Sequence, residues 1–314
     1  MTCPHGRTYA ILSNLIVLLL PDLVAGAEKK DAAPSHQIAV CSPHFGSPEI
    51  VCVDLDGNIE RLGDPGPAGH SPTWSRKGDR IAFIGAGGRI AAWDLLKQEE
   101  TVLLDRQIRS NHLSWSPDGE RIALTAAPED GVRQLSVLTV EDRQLVRLTE
   151  FADEVRFPSW APDGKSILFS VHPEKGPSAI WTIRPDGTEQ RSLRIEGHYW
   201  TSPNWSPSGK TLAFSRYRQG KNGIFIVRLH DRKERVIEET RTSKHPVWSP
   251  DGRFLAYLRH AKTEEESKLL DLVVFDVVFG IRETILHEDV AKYGSRPAWR
   301  PVRDHGAETG PDQE

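Results

Sequence analysis

The strongest constraint on this chain is a short unit that it repeats. Its fullest form is Pro246-Val247-Trp248-Ser249-Pro250-Asp251-Gly252, followed by Phe254-Leu255-Ala256-Tyr257. Related copies place a Trp at Trp74, Trp115, Trp160, Trp205 and Trp299, with steps of 41, 45, 45, 43 and 51 residues. Within the unit a strand ends at the Trp, and Pro250 presets φ for a turn. Asp251 can bond its own backbone there, and Gly252 accepts φ > 0. The apolar run that follows reads as a strand buried on both faces: Ile81-Ala82-Phe83, Ile122-Ala123-Leu124, Ile167-Leu168-Phe169 and Leu212-Ala213-Phe214 in the other copies. Strand-rich repeats of about 40–45 residues are the signature of propeller blades.

Each unit continues with two more strands. The third is apolar, as in Ala179-Ile180-Trp181-Thr182-Ile183, and the fourth follows a polar hairpin, as in Leu145-Val146-Arg147-Leu148. After Trp299 the chain lacks the last three strands of a unit. Before Trp74 it has three strands with no first: Ile38-Ala39-Val40, Ile50-Val51-Cys52-Val53 and Ile59-Glu60-Arg61-Leu62. The two ends are therefore expected to complete one blade, one strand from the C-terminal side and three from the N-terminal side, hiding the edges of an open array. No helical periodicity of useful length follows residue 27. The expected fold is all-β, a six-bladed propeller over residues 37–301.

Residues 1–27 read as a signal peptide. Arg7 precedes an apolar run over residues 10–20, shorter than a ~20-residue membrane span, and Ala25-Gly26-Ala27 fits the cleavage pattern. Residues 28–36 form a polar leader, and 302–314 a polar tail expected to stay disordered. Cleavage would leave no membrane segment and a periplasmic or secreted protein. The formal net charge of −4 excludes the basic field that nucleic acid requires. Cys3 leaves with the signal. Cys41 and Cys52 lie on two strands joined by a Pro/Gly-containing loop, and in an exported chain a disulfide between them is expected, with two free buried thiols as the alternative.

Several tempting sites read as structure. The six Trp, one per blade at one place, are inter-blade packing rather than a binding cage. Asp54-Leu55-Asp56-Gly57-Asn58 resembles the opening of a calcium loop but lacks the closing Glu and falls in a hairpin. Gly85-Ala86-Gly87-Gly88 joins two strands, so it has no helix N-terminus with which to hold phosphate. There is no Gly-x-Ser-x-Gly and no His-Glu-x-x-His.

The repeats resemble the WD-like β-propeller repeat of the TolB family, Pro-x-Trp-Ser-Pro-Asp-Gly-x-x-Ile-Ala-Phe. The same repeat occurs in periplasmic scaffolds, in prolyl oligopeptidase-like peptidases and in oligogalacturonate lyases. The chain has no room for the peptidases' hydrolase domain. Only the signal and leader precede residue 37, so the resemblance covers the propeller and not TolB's preceding α/β domain.

The resemblance implies a central channel lined by the strand that leads into each Trp. Four residues before each Trp stand His70, Asn111, Arg156, Thr201, Lys244 and Ser295; three before stand Ser71, His112, Phe157, Ser202, His245 and Arg296. One row is expected to face the mouth, near His198, Tyr199 and Trp200. His70, His112, Arg156, Lys244, His245 and Arg296 would give a cationic ring suited to an anionic ligand. Two functions are open. One is a non-enzymatic scaffold that needs no cofactor and binds a protein, a peptide or another anionic ligand at the channel mouth. The other is an enzyme like oligogalacturonate lyases, with a divalent metal held by His70, His112 and His245. A carbohydrate-binding propeller without chemistry is a weaker third reading.

Overall fold

Each repeat folds into a four-stranded antiparallel sheet, and there are six of them. The computed structural model describes residues 36–301 except 46–47, 65, 106–109, 111, 128–130, 198–201, 219–220, 241, 261–268 and 292–295. The expected signal and tail, Asn111, Thr201, Ser295 and the His198-Tyr199-Trp200 stretch lie outside the described residues. We number the blades by their Trp, from Trp74 in the first to Trp299 in the sixth. The innermost strands are His70–Trp74, Leu113–Trp115, Glu154–Trp160, Asn204–Trp205, Lys244–Trp248 and Ala298–Trp299.

The sixth blade joins the two ends of the chain. Its strand order is Ala298–Trp299, Ile38–Ser42, Glu49–Val53 and Ile59–Arg61. Ile38 lies opposite Trp299 and Ala39 opposite Ala298, and Arg300 N donates to Gln37 O at 2.8 Å. The one-plus-three closure thus has the register expected of the repeats.

The turns follow the sequence chemistry. In the fifth blade Gly252 sits at φ 74 and its N–H donates to Ser249 O at 2.9 Å. Ser249 Oγ donates to Asp251 at 2.5 Å and accepts from Phe254 N at 2.8 Å. Ser75, Ser116 and Ser206 accept from the residue five positions on in the same way. Asp54 spends its carboxylate inside its hairpin, on Asp56 N, Asn58 N and Asn58 Nδ2. That use agrees with a turn.

The hydrophobic core consists of six layers, each between two neighbouring blades. Ile38, Val40, Val51 and Val53 of the sixth blade pack against Val247, Ala256 and Leu258 of the fifth. The alternate residues Ala39, Ile50 and Cys52 pack against Trp74, Ile81 and Phe83 of the first. Strands with a partner sheet on both sides are apolar on both faces for this reason, with single buried polar residues such as Glu49, Gln134 and Ser170 among them.

The six Trp all pack between blades, and five of the six seams use one of two hydrogen-bonding modes. The residue before Trp248 and Trp299 is apolar, Val247 or Ala298. The next blade's indole then donates to that residue's carbonyl: Trp299 Nε1 to Val247 O at 3.0 Å, and Trp74 Nε1 to Ala298 O at 3.1 Å. Where that residue is Thr73, Ser114 or Asn204, its side chain instead accepts from the next Trp's backbone N, at 3.3, 3.0 and 2.9 Å. The indole nitrogens of Trp115, Trp160, Trp205 and Trp248 are buried without a partner among the described residues. At the seam between the third and fourth blades Ser159 Oγ accepts instead from Asn204 Nδ2 at 3.4 Å; at the other five the residue before the Trp selects how the seam is held.

The expected disulfide does not form: Cys41 and Cys52 are free and buried. The register places Cys41 opposite Ile50 and Cys52 opposite Ala39. The two cysteines are diagonal neighbours, a relation that spans about 7–8 Å, beyond the usual Cα separation of a bridge.

Candidate functional site

Of the two rows before the Trp, the one three residues before it crosses the axis. In the first, third and fifth blades its members Ser71, Phe157 and His245 have φ of 55°, 56° and 57°. Each precedes a proline, where this backbone is costly, of order 1 kcal/mol or more. Each lies where the pairing of the innermost strand shifts register, between His70 and Thr73, Arg156 and Ser159, or Lys244 and Val247. A bulge of this kind turns a side chain out of the ladder. Here it sends alternate blades' side chains toward the axis.

They meet there. The His112 ring lies 4.4 Å from that of Phe157 and 5.3 Å from that of His245, and Phe157 and His245 are 5.5 Å apart. His245 Nδ1 bonds Ser202 Oγ at 3.1 Å. Arg296 reaches across from the sixth blade, donating from Nη1 to Pro158 O at 3.2 Å and from Nη2 to Pro203 O at 3.3 Å. Phe157 and Arg296 are 1% and 5% exposed, so the described side chains form a closed plug at this level.

The plug has an unusual charge state. Burial holds His112 well below the ordinary imidazole range, with the charges of His245, Arg296, His70 and Arg156 adding to it. His245 is held down by burial, then by Lys244 and Arg296. Both rings are neutral at neutral pH. Burial lowers Arg296 to about 10, so it stays a cation. It donates to two carbonyls, and no carboxylate pairs with it among the described residues. His112 Nδ1 is likewise buried without a partner.

The other row sits wider. His70 is partly buried, bonds Ser71 Oγ at 3.2 Å and is lowered by burial. Arg156 is not a free cation. Glu154, two residues earlier on the same strand and so on the same face, accepts from its Nε at 2.7 Å and from Arg133 Nη1 at 2.6 Å. Lys244 is partly buried at the start of its strand. The six expected residues thus separate into Arg296, His112 and His245 at the plug and His70, Arg156 and Lys244 around it.

Two contributors escaped the sequence reading. Glu154 was legible through its i, i+2 spacing from Arg156. His172 bonds Ser170 Oγ at 2.7 Å through Nε2 and Ser178 Oγ at 3.0 Å through Nδ1, and lies 5.9 Å from Phe157. Ser170 donates its own proton to Arg156 O at 3.2 Å, which leaves His172 protonated on Nε2 and accepting on Nδ1. Burial, aided by Arg156, lowers it to about 4. No sequence pattern links it to the mouth.

Among the described residues no three His, Cys, Asp or Glu side chains are grouped so as to hold a metal ion, and His70, His112 and His245 are not gathered as a set. No described helix is long and apolar enough to cross a membrane.

No curated protein matches the chain. Among solved structures, TolB from Acinetobacter baumannii superposes with a TM-score of 0.71 at 20% identity, over 86% of this chain and 67% of that one. A putative TolB from Agrobacterium tumefaciens gives 0.64 at 17%, over 85% and 99%. An oligogalacturonate lyase in complex with manganese gives 0.55 at 17%, over 77% and 71%. At these identities the likeness concerns the fold. The model of the TolB β-propeller domain matches residues 47–303, and the chain belongs to that family.

Proposed function

We propose that this chain is an exported, non-enzymatic propeller whose axial mouth holds a protein or peptide through an anionic group. The observation that carries the reading is Arg296: a buried guanidinium on the axis, held by two carbonyls and answered by no carboxylate among the described residues. A buried cation without a counter-charge is costly, and an incoming carboxylate or phosphate would relieve that cost. The neutral rings of His112 and His245 add donors without adding charge, and Phe157 gives an apolar floor. The family supports a protein-binding role, and residues 1–27 support export to the periplasm.

The test is calorimetric titration with short acidic peptides and oligouronates against the parent, Arg296→Met and His112→Ala. Loss of a charge-assisted hydrogen bond predicts binding weaker by about tenfold or more in Arg296→Met. Binding that survives both substitutions would move the site off the axis. Metal analysis of protein purified without chelator tests the lyase-like alternative. Stoichiometric manganese or zinc, lost in His112→Ala, would replace the scaffold reading with a metal-dependent one.

A further inference from the structure

The hairpins between third and fourth strands lie on the turn face, opposite the mouth. Their tips are polar at Asp56-Gly57, Asp142-Arg143, Asp186-Gly187 and Asp231-Arg232. The first blade's tip, Leu95-Leu96-Lys97-Gln98, exposes one apolar side chain, Leu96, and the fifth blade departs further. Between Leu269–Asp276 and Arg282–Ala291 its tip reads Val277-Val278-Phe279-Gly280-Ile281. Val278, Phe279 and Ile281 are 71%, 68% and 56% exposed. The loop is firmly built: Asp276 Oδ1 accepts from Val278 N and Phe279 N at 2.9 Å each, and Gly280 takes φ 73. Its shape presents the apolar side chains outward.

The surroundings are basic. The Arg253 guanidinium lies 5.4 Å from the centre of the Phe279 ring and pairs with Asp276 Oδ2 at 2.9 Å, so the net charge comes from the neighbouring hairpin. Arg235 donates to Val277 O at 3.0 Å, which brings the fourth blade's hairpin alongside. Over residues 228–235 that hairpin carries Arg228, Arg232, Lys233 and Arg235 against Asp231 and Glu234. Asp231 pairs with Arg228 and Glu234 with Arg216, each at 2.7 Å, so the excess charge is positive. The ring is also entered from this face. His36 bonds Asp251 in the fifth blade's turn at 2.9 Å and packs on Phe254 at 5.1 Å.

We infer that this pair of hairpins is a docking surface for an anionic lipid bilayer. An exposed apolar tip beside a basic hairpin suits that surface: the tip enters among the headgroups while the bases stay at the phosphates. A symmetric contact between two copies would set one basic hairpin against another. Docked in this way, the propeller turns its axial mouth away from the bilayer. The inference does not depend on the ligand proposed for that mouth.

All the described strands lie between Ile38 and Trp299, so a chain beginning at Glu28 keeps every one of them. Co-sedimentation of that chain with vesicles of phosphatidylethanolamine and phosphatidylglycerol should show binding that salt weakens and that pure phosphatidylcholine vesicles do not reproduce. The double variants Val278→Ser/Phe279→Ser and Arg232→Glu/Lys233→Glu should each bind about tenfold more weakly with an unchanged melt. No binding to the anionic vesicles, equal binding to the neutral ones, or equal binding by either variant would overturn the inference. So would a concentration-dependent dimer that Val278→Ser/Phe279→Ser abolishes while vesicle binding persists.

Discussion

The two faces of the ring are written by the same six repeats under opposite rules. On the turn face the repeats largely agree: a Trp wedged against the next blade in all six, and a Ser hydroxyl capping the tight turn in four, with Ala161 and Arg300 in the other two. At the mouth, a few residues earlier on the same strands, the six repeats use four residue types: Ser71 and Ser202, His112 and His245, Phe157 and Arg296. The turn face is held by local hydrogen bonds, so its residues are interchangeable between blades. The mouth is held by contacts across the ring, as from Arg296 to Pro158 and Pro203, so each residue there has its own partner. Repetition marks what carries the fold, and variation within it marks where binding can be built.

The largest effect should come from breaking the repeated face at the seam that closes the ring. Trp299 is 6% exposed, donates to Val247 O and belongs to the two-residue strand that joins the chain's ends. Trp299→Ala should cost about 3–5 kcal/mol, a fall in Tm of roughly 10 °C for a domain of this size. Trp205→Ala removes a half-buried ring whose indole nitrogen has no partner, and should cost clearly less. Calorimetric melts of the two variants decide this. Equal losses would mean that the closing seam is no different from the others.

A smaller effect separates the faces by pH. His112, His245 and His172 have folded pKa values below the ordinary 6.5, His172 at about 4. Below pH 6.5 the unfolded chain takes up protons at these positions while the folded mouth does not. Stability should therefore hold above pH 6.5 and fall progressively toward pH 4. His112→Gln should flatten that slope, whereas His230→Gln, an exposed position on the turn face, should leave it unchanged. Melting temperatures from pH 7.5 to 4.5 would show it, and a parallel slope in all three proteins would place the titration elsewhere.

The fold was readable almost in full because a propeller is specified locally. Trp-Ser-Pro-Asp-Gly states its own turn, and the three orphan strands before Trp74 state the closure. The site was readable only in outline. The spacing put His112, His245 and Arg296 in one row, but the row's orientation depends on a left-handed backbone at Ser71, Phe157 and His245. Those residue types do not announce it as glycine would. The plug arises from contacts such as Arg296 with Pro158 O, which join blades far apart in sequence. Glu154 neutralises part of the expected cationic ring, and His172 enters from a second strand that the channel rows did not include.

The smallest effect concerns the closing blade's cysteines, where sequence proximity misled for want of register. A loop between Ser42 and Glu49 can pair its strands so that Cys41 meets either Cys52 or a neighbour, and composition does not choose. The alternation of core layers does not choose either, because the bridging register differs by two residues and keeps Ala39, Ile50 and Cys52 on the face toward Trp74, Ile81 and Phe83. The observed pairing runs from Ile38 with Val53 to Ser42 with Glu49, and the same strand pairs with Trp299 on its other side. That pairing sets Cys41 opposite Ile50, two positions from Cys52. Burial raises the Cys41 thiol to about 11 and the Cys52 thiol to about 12, so both should resist alkylation in the native protein. Thiol titration of the unreduced chain from Glu28 should find two thiols on denaturation and essentially none before it. Adding reductant should leave the melt unchanged, because the seam is held by the pairing of Ile38 with Trp299 and by the layers on either side.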